Sequence, residues 1–149
     1  METTYPLTIY YESECPMCDA EMTNLRLRDS RGLLRFVDVC ATDFEGPPPG
    51  ATREDLLEAI HGRTANGTVI RGMEVFRLAY SAIGLGAWAG ITRWPLLRPL
   101  CDRLYRALAR RRHRVPRVLV RLALETVVRR AAERAAQRAR CDTNTCRTH

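Results

Sequence analysis

The chain has 149 residues, 46% of them hydrophobic and 28% charged, and its formal net charge at pH 7 is +7. This length and composition predict one domain of ordinary size with a buried apolar core. The longest uncharged run, residues 79–92, is too short for a membrane span and suits a core or interfacial segment. The first four residues lack the basic and apolar regions of a secretory signal, so a cytoplasmic location is expected.

A strand–helix–strand unit is predicted at the start of the chain. Residues 7–11 are β-branched and aromatic, which predicts a buried strand. Pro16 suits the first position of a helix that continues to Arg28, because its fixed φ and missing N–H fit there. Residues 33–40 are apolar on both faces apart from an arginine and an aspartate, which predicts an inner parallel strand.

The next elements complete an α/β fold. Thr52, followed three residues later by Asp55, is typical of a capping box at the start of a short helix. Asn66-Gly67 between two strand-like runs predicts a hairpin, and a further helix is predicted over residues 73–83. The resulting order, β-α-β-α-β-β-α, is that of the thioredoxin fold.

The rest of the chain is predicted to be helical. A thioredoxin-like domain over residues 1–115 would include helices within 73–112, followed by a basic C-terminal helix over 116–140 and a disordered tail over 141–149. In the last helical segment of the domain, leucines recur at helical spacing, at Leu96, Leu97, Leu100, Leu104 and Leu108.

Basic residues are concentrated in the C-terminal half. All 24 are arginine, and residues 106–140 hold twelve of them with only two glutamates. Such a region attracts an acidic partner or a membrane surface, although arginine-rich helices are usually solvated faces. Nucleic acid is not favoured, because no aromatic residues that could stack on bases follow Tyr105.

The Cys-Pro-Met-Cys motif predicts redox chemistry. Disulfide exchange requires one thiolate that attacks and a second thiol that resolves the mixed disulfide. The N-terminus of a helix stabilises a thiolate through its unsatisfied N–H groups and the positive end of its dipole. We expect Cys15, as the exposed cysteine, to attack and Cys18 to resolve. Pro16 and Met17 between them are expected to contact the substrate, which is a protein or small-molecule thiol or disulfide.

Acidic residues are predicted to surround this motif. The charges of Glu12 and Glu14 should raise the pKa of Cys15, which would then be only moderately activated. Asp38 ends the second strand, and parallel strands bring their C-terminal ends to the same sheet edge. Its carboxylate could therefore relay the proton that Cys18 loses during resolution. The alternative is that Asp38 caps a loop or pairs with an arginine.

The cysteines also permit other interpretations. The pair could be inert, or it could be half of a zinc site, which requires two more ligands. Cys141, Cys146 and His149 could supply these ligands only if the tail folds back, and no metal or cofactor is predicted. Cys40 and Cys101 are interpreted as small core hydrophobes.

Residues 10–18 (YYESECPMC) resemble the opening of the DCC family of thiol–disulfide oxidoreductases. That family opens with a tyrosine, Asp-Gly, an acidic residue and Cys-Pro-x-Cys. Further matches occur in the same order along the chain, at residues 34–38, at Asn66-Gly67 followed by Gly72, and over residues 94–105.

The resemblance covers about residues 5–115 and implies a thioredoxin-like fold with Cys15 and Cys18 as the redox pair. Glu12-Ser13 replaces the usual Asp-Gly, and no proline between residues 50 and 94 corresponds to the cis-proline of thioredoxins. The sequence therefore predicts a thiol–disulfide oxidoreductase. It does not identify the electron donor or the substrate. The alternative is a redox-sensing or metal-binding module that docks through its arginine-rich helices.

Overall fold

The computed structural model describes residues 4–112, 118, 129–130, 132–134 and 136–137. The predicted tail over 141–149 and most of the predicted basic helix over 116–140 lie outside these residues. The elements are β1 (Leu7–Tyr11), α1 (Pro16–Arg28), β2 (Leu34–Asp38), α2 (Arg53–Glu58), β3 (His61–Arg63), β4 (Val69–Arg71), α3 (Met73–Ala82), α4 (Gly86–Arg93) and α5 (Arg98–Arg111).

The four strands form one mixed sheet in the order β2-β1-β3-β4. β1 is parallel to β2, whereas β3 is antiparallel to both β1 and β4. This sheet and its helices confirm the predicted α/β, thioredoxin-like fold. The prediction that β2 is an inner strand is wrong, because β2 lies at the sheet edge and only Leu34 of its residues is buried. An apolar run predicts burial of side chains, but it does not determine how many strands pair with it.

Successive residues of β1 point to opposite faces of the sheet. Leu7 and Ile9, both fully buried, pack on one face against Met22 of α1 and Val75 of α3. On the other face, Tyr10 packs in a smaller cluster with Val39 and Leu56. The sheet is thus the middle layer between α1 and α3 on one side and α2 on the other, and β1 is its most buried strand.

Two local predictions are confirmed at the level of hydrogen bonds. Thr52 and Asp55 form the capping box of α2, with the Asp55 N–H donating to Thr52 Oγ1 at 3.1 Å and the Thr52 N–H donating to Asp55 Oδ2 at 2.9 Å. Asn66-Gly67 forms the turn between β3 and β4, and Gly67 has a φ of 89° that suits glycine. Both signals depend on neighbouring residues alone.

The uncharged run over residues 79–92 is divided between two helices. α3 ends at Ala82, Gly84 follows with a φ of 84°, and α4 begins at Gly86. Within the described residues, no helix is long and apolar enough to cross a membrane.

α5 is held against the domain by buried polar contacts. Arg77 of α3 is 2% exposed, and its Nη2 donates to Asp102 Oδ1 at 2.9 Å and to the Thr92 carbonyl at 3.0 Å. One turn further along α5, the Tyr105 hydroxyl accepts the Ile60 N–H at 3.0 Å. These contacts direct the C-terminal end of α5 toward the N-terminus of α1.

Candidate active site

Cys15 is the N-cap residue of α1, and Pro16 occupies the first turn. The Cys18 N–H donates to Cys15 Sγ at 3.4 Å, and the Cys18 thiol donates to the same sulfur, with the two Sγ atoms 2.7 Å apart. Both cysteines are free thiols. The sulfur of Cys15 therefore takes the place of the side-chain oxygen that usually caps a helix, and the spacing of the motif brings the two sulfurs together.

The expectation that Cys15 is the exposed cysteine is wrong. Cys15 is 0% exposed, whereas Cys18 is half-buried. The cap position directs the Cys15 side chain onto the first turn of its own helix, and the sequence does not reveal what else packs there. A substrate can contact Cys15 only after a local displacement. Pro16 and Met17 are half-buried, and their contact with substrate stays a prediction.

The pKa of Cys15 is lowered to about 6. The main cause is the hydrogen bond from the Cys18 thiol, which outweighs the opposing effect of burial; backbone N–H groups and the positive charge of Arg112 lower the pKa further. The expectation that nearby glutamates leave Cys15 only moderately activated is therefore wrong. Glu12 is bound by Arg112 rather than facing the thiol as an unopposed charge.

The pKa of Cys18 is raised far above its ordinary value. The causes, in order, are the hydrogen bond that its thiol donates to Cys15, burial, and the negative charge of Cys15. Above a pH of about 6, these two shifts favour the state with a proton on Cys18 and a negative charge on Cys15.

Arg112, immediately after α5, lies over this pair. It is 5% exposed, and its Nη2 donates to Glu12 Oε2 at 2.7 Å and to the Leu57 carbonyl. Its Nη1 lies 3.8 Å from Cys18 Sγ. Glu12, at the end of β1, is itself only 7% exposed, so that the ion pair is buried.

Sequence reasoning missed this arginine. Arg112 is one of twelve arginines over residues 106–140, a region interpreted as a solvated face. Glu12 offered a weak signal, because it is a carboxylate directly after a buried strand and such a group requires a cation or hydrogen-bond donors. Nothing in the local sequence indicates which arginine supplies them.

Asp38 lies at the sheet edge where it was predicted, paired in register with Tyr11 at the end of β1. Its Oδ1 accepts the Ser13 N–H at 3.2 Å and the Cys40 N–H at 2.9 Å. Burial raises the pKa of Asp38, but the hydrogen bonds from Ser13 and Cys40 more than offset this effect and the net pKa is lowered. These contacts are those of the loop-capping alternative, and the proton relay stays a prediction.

Within the described residues, one set of side chains could hold a metal ion. The three side chains there that could ligate one ion are Glu12, Glu14 and Cys40, and neither member of the Cys-Pro-Met-Cys pair is among them. The predicted tail ligands Cys141, Cys146 and His149 lie outside the described residues. Cys40 and Cys101 are both half-buried, and Cys40 packs at the edge of the cluster of Tyr10, Val39 and Leu56, as the interpretation of it as a small core hydrophobe requires.

Comparison with known proteins assigns the chain to a family. A family model described as DCC1-like thiol-disulfide oxidoreductase matches residues 9–118, which include both cysteines of the motif and Arg112. An uncharacterised chloroplastic protein of Arabidopsis thaliana is 29% identical over 113 residues, covering 74% of this chain and 53% of that protein. The chain thus spans about half the length of this curated relative, and no solved structure matches it. It belongs to the DCC1-like thiol-disulfide oxidoreductase family.

Proposed function

We propose that the chain is a thiol–disulfide oxidoreductase in which Cys15 attacks and Cys18 resolves. The observation that carries this proposal is the position of Cys15 Sγ at the start of α1, where it accepts hydrogen bonds from both the N–H and the thiol of Cys18. A thiolate held in this way is a nucleophile at neutral pH, and its resolving partner lies 2.7 Å away.

In the first step, the Cys15 thiolate attacks one sulfur of a substrate disulfide. A bond forms between Cys15 Sγ and that sulfur, the substrate S–S bond breaks, and the second substrate sulfur leaves as a thiolate. Cys18 then transfers its proton to water or to the substrate thiolate released in the first step, and its own thiolate attacks Cys15 Sγ. The Cys15–Cys18 disulfide forms, the first substrate sulfur leaves, and two electrons have passed from the dithiol to the substrate.

The second step requires the pKa of Cys18 to fall. Two of the three main causes that raise it, the hydrogen bond to Cys15 and the negative charge of Cys15, depend on the Cys15 thiolate. Both disappear once Cys15 is part of a mixed disulfide. The cation of Arg112, 3.8 Å from Cys18 Sγ, then stabilises the developing thiolate. We assign Arg112 an electrostatic role at the sulfur of Cys18 and Glu12 the role of a positioning residue that holds Arg112.

Trapping of the mixed disulfide tests the proposal. The Cys18→Ser variant, incubated with a small disulfide, should accumulate one covalent adduct on Cys15, as shown by mass spectrometry of peptides. Cys15→Ser should form no adduct within the motif, and Cys40→Ser serves as a control that retains turnover. If Cys15→Ser reduces disulfides as fast as the unmodified protein, the proposal is wrong.

A further inference from the structure

The outer face of α5 and the turn before it expose large apolar side chains. Five of them follow one another along this part of the chain, and we name them the leucine stripe. They are Trp94, Leu96, Leu100, Leu104 and Leu108, with exposed fractions of 61%, 78%, 52%, 62% and 48%. Single exposed leucines are common on soluble proteins, but a contiguous apolar face marks an interaction site.

The spacing of the stripe keeps its helical members together. At about 100° per residue, Leu100, Leu104 and Leu108 lie within an arc of about 80° on α5. On the same wheel, Arg103 and Arg110 lie about 100° to 120° from Leu104, which is about 60° to 80° beyond one edge of that arc, and Arg110 also lines a groove with Glu58. Both arginines are exposed. The face therefore combines an apolar centre with a basic border.

The negative charge of α5 lies elsewhere. Asp102 is the sole acidic residue between Arg98 and Arg111, and it is turned toward α3, where Arg77 binds it at 2.9 Å. Exposed Arg111 adds further positive charge at the C-terminal end of the stripe. The charges that border the stripe are thus arginines.

We propose that the leucine stripe and its bordering arginines bind an anionic lipid surface. An amphipathic helix with leucines and tryptophan on one face and arginines beside them lies in the plane of a membrane interface, with its apolar side chains among the acyl chains. Each arginine near the headgroups adds attraction to anionic lipid. The proposed attachment is peripheral, because the exposed leucines of α5 occupy one face of the helix rather than its whole circumference.

Charge argues against two other occupants of this face. A second copy of the chain would place two arginine-bordered faces against each other, and the carboxylate of Asp102 on α5 is already bound by Arg77. Residues 113–140 hold eight arginines and two glutamates, so this part of the sequence supplies little negative charge to pair with the arginines of α5. An anionic bilayer supplies both the apolar phase and the opposite charge.

The proposed surface adjoins the redox site. Arg112, which contacts Cys18, follows Leu108 by about one helical turn. A protein docked through α5 would therefore hold its dithiol close to the lipid surface. The binding itself does not depend on redox activity, so the two proposals can fail separately.

Co-sedimentation of the full chain with vesicles tests this inference. We expect binding to vesicles of phosphatidylcholine with phosphatidylglycerol and little binding to phosphatidylcholine alone. The double variant Arg103→Gln/Arg110→Gln should weaken the binding roughly 30-fold. Leu104→Gln/Leu108→Gln should weaken it at least about tenfold, because both leucines lose their transfer into the acyl region.

A matched control removes the same charge elsewhere. The variant Arg35→Gln/Arg63→Gln alters two exposed arginines of the sheet and should bind the vesicles as the unmodified chain does. The inference is overturned if this control weakens binding as much as the α5 arginine variant, or if the leucine variant binds unchanged. It is also overturned if the leucine variant converts a dimer to a monomer or lowers the thermal midpoint by several degrees, since either result means that protein covers the stripe.

Discussion

Arg112 Nη2 and Glu12 Oε2 form a buried ion pair at 2.7 Å between residues 100 positions apart in the chain. Glu12 directly follows β1 and Arg112 directly follows α5, so the pair links the ends of these two elements. The guanidinium of Arg112 also lies 3.8 Å from Cys18 Sγ, through its Nη1 atom. The fold thus couples the position of α5 to the electrostatics of the cysteine pair.

Replacement of Arg112 should raise the pKa of Cys15. Arg112→Ala removes a nearby cation and leaves the Glu12 carboxylate buried beside the site, and both changes disfavour a thiolate. At a pH near 6, alkylation of Cys15 should slow roughly threefold to tenfold, with a much smaller change at alkaline pH. The readout is the pH profile of iodoacetamide labelling at Cys15, followed by mass spectrometry.

Two further variants separate charge from packing at this position. Arg112→Lys keeps the cation but lacks the forked geometry of arginine. Its labelling midpoint should therefore lie between those of the unmodified protein and Arg112→Ala. Arg110→Ala removes an exposed arginine from the same helix and should leave the profile unchanged in the absence of lipid. If Arg112→Ala lowers stability but leaves the labelling midpoint in place, Arg112 has a structural role only.

The labelling profile of the unmodified protein should have its midpoint at a pH of about 6. Because the thiol of Cys18 is the largest cause of this low pKa, Cys18→Ala should move the midpoint to higher pH. Cys18→Ser retains a hydroxyl donor, so its labelling midpoint should lie between those of the unmodified protein and Cys18→Ala. A midpoint near the ordinary thiol pKa of 9.0 in the unmodified protein would contradict the observed hydrogen bond.

The same shift predicts how pH affects the stability of the reduced protein. The folded pKa of Cys15 lies below its ordinary value, so ionisation of Cys15 favours the folded state. This contribution is complete above a pH of about 9 and is lost as the pH falls through about 6. The difference in free energy of unfolding between reduced wild type and Cys15→Ser, measured with denaturant, should therefore grow from pH 6 to pH 9. A difference that is constant with pH would refute this linkage.

Asp38→Asn should leave the resolution step within about twofold of its original rate, because an amide oxygen can still accept from N–H groups. Asp38→Ala should instead lower the free energy of unfolding by about 1–3 kcal/mol, since the N–H groups of Ser13 and Cys40 lose their acceptor. Single-turnover kinetics and denaturant unfolding measure the two effects. A loss of about 100-fold or more that is confined to resolution in Asp38→Asn would instead establish the proton relay predicted from sequence.

Tyr105→Phe should lower the free energy of unfolding by about 1–2 kcal/mol, because the Ile60 N–H loses the hydroxyl that accepts it at 3.0 Å. The edge-to-face contact with Phe76, with ring centroids 5.9 Å apart, remains in this variant, so the loss reports the hydrogen bond. Urea unfolding followed by circular dichroism gives the value. An unchanged midpoint would show that water replaces the hydroxyl without cost.

Local sequence signals predicted much of the fold. The bounds of β1, the capping box of α2 and the turn at Asn66-Gly67 were all predicted, because each depends on residues within a few positions of one another. The Cys-Pro-Met-Cys spacing likewise placed both sulfurs at the start of α1. In each case the physical cause lies within one element or one turn.

The features that the sequence did not predict depend on long-range packing. The edge position of β2 is decided by which strands pair, and the burial of Cys15 by what packs around α1. Among twelve similar arginines, Arg112 is distinguished only by where Arg77 and Tyr105 hold α5. These features arise from contacts between residues that are distant in the sequence. The periodicity of apolar residues and their secondary-structure propensities therefore do not determine them.

Two truncations should separate the redox domain from the region after it. The predicted domain ends at residue 115, and the elements that form the described site end at Arg112. Fragment 1–115 should therefore unfold cooperatively, reduce disulfides and retain a Cys15 labelling midpoint at a pH of about 6.

Fragment 1–111 lacks the same C-terminal region and four further residues, the first of which is Arg112. We expect it to fold but to show a labelling midpoint at higher pH and slower resolution, because Glu12 and Cys18 have lost their cation. Identical pH profiles of Cys15 labelling in the two fragments would show that Arg112 has no role in the mechanism. Aggregation of fragment 1–115 would show that residues 116–140 belong to the core and that the predicted domain boundary is wrong.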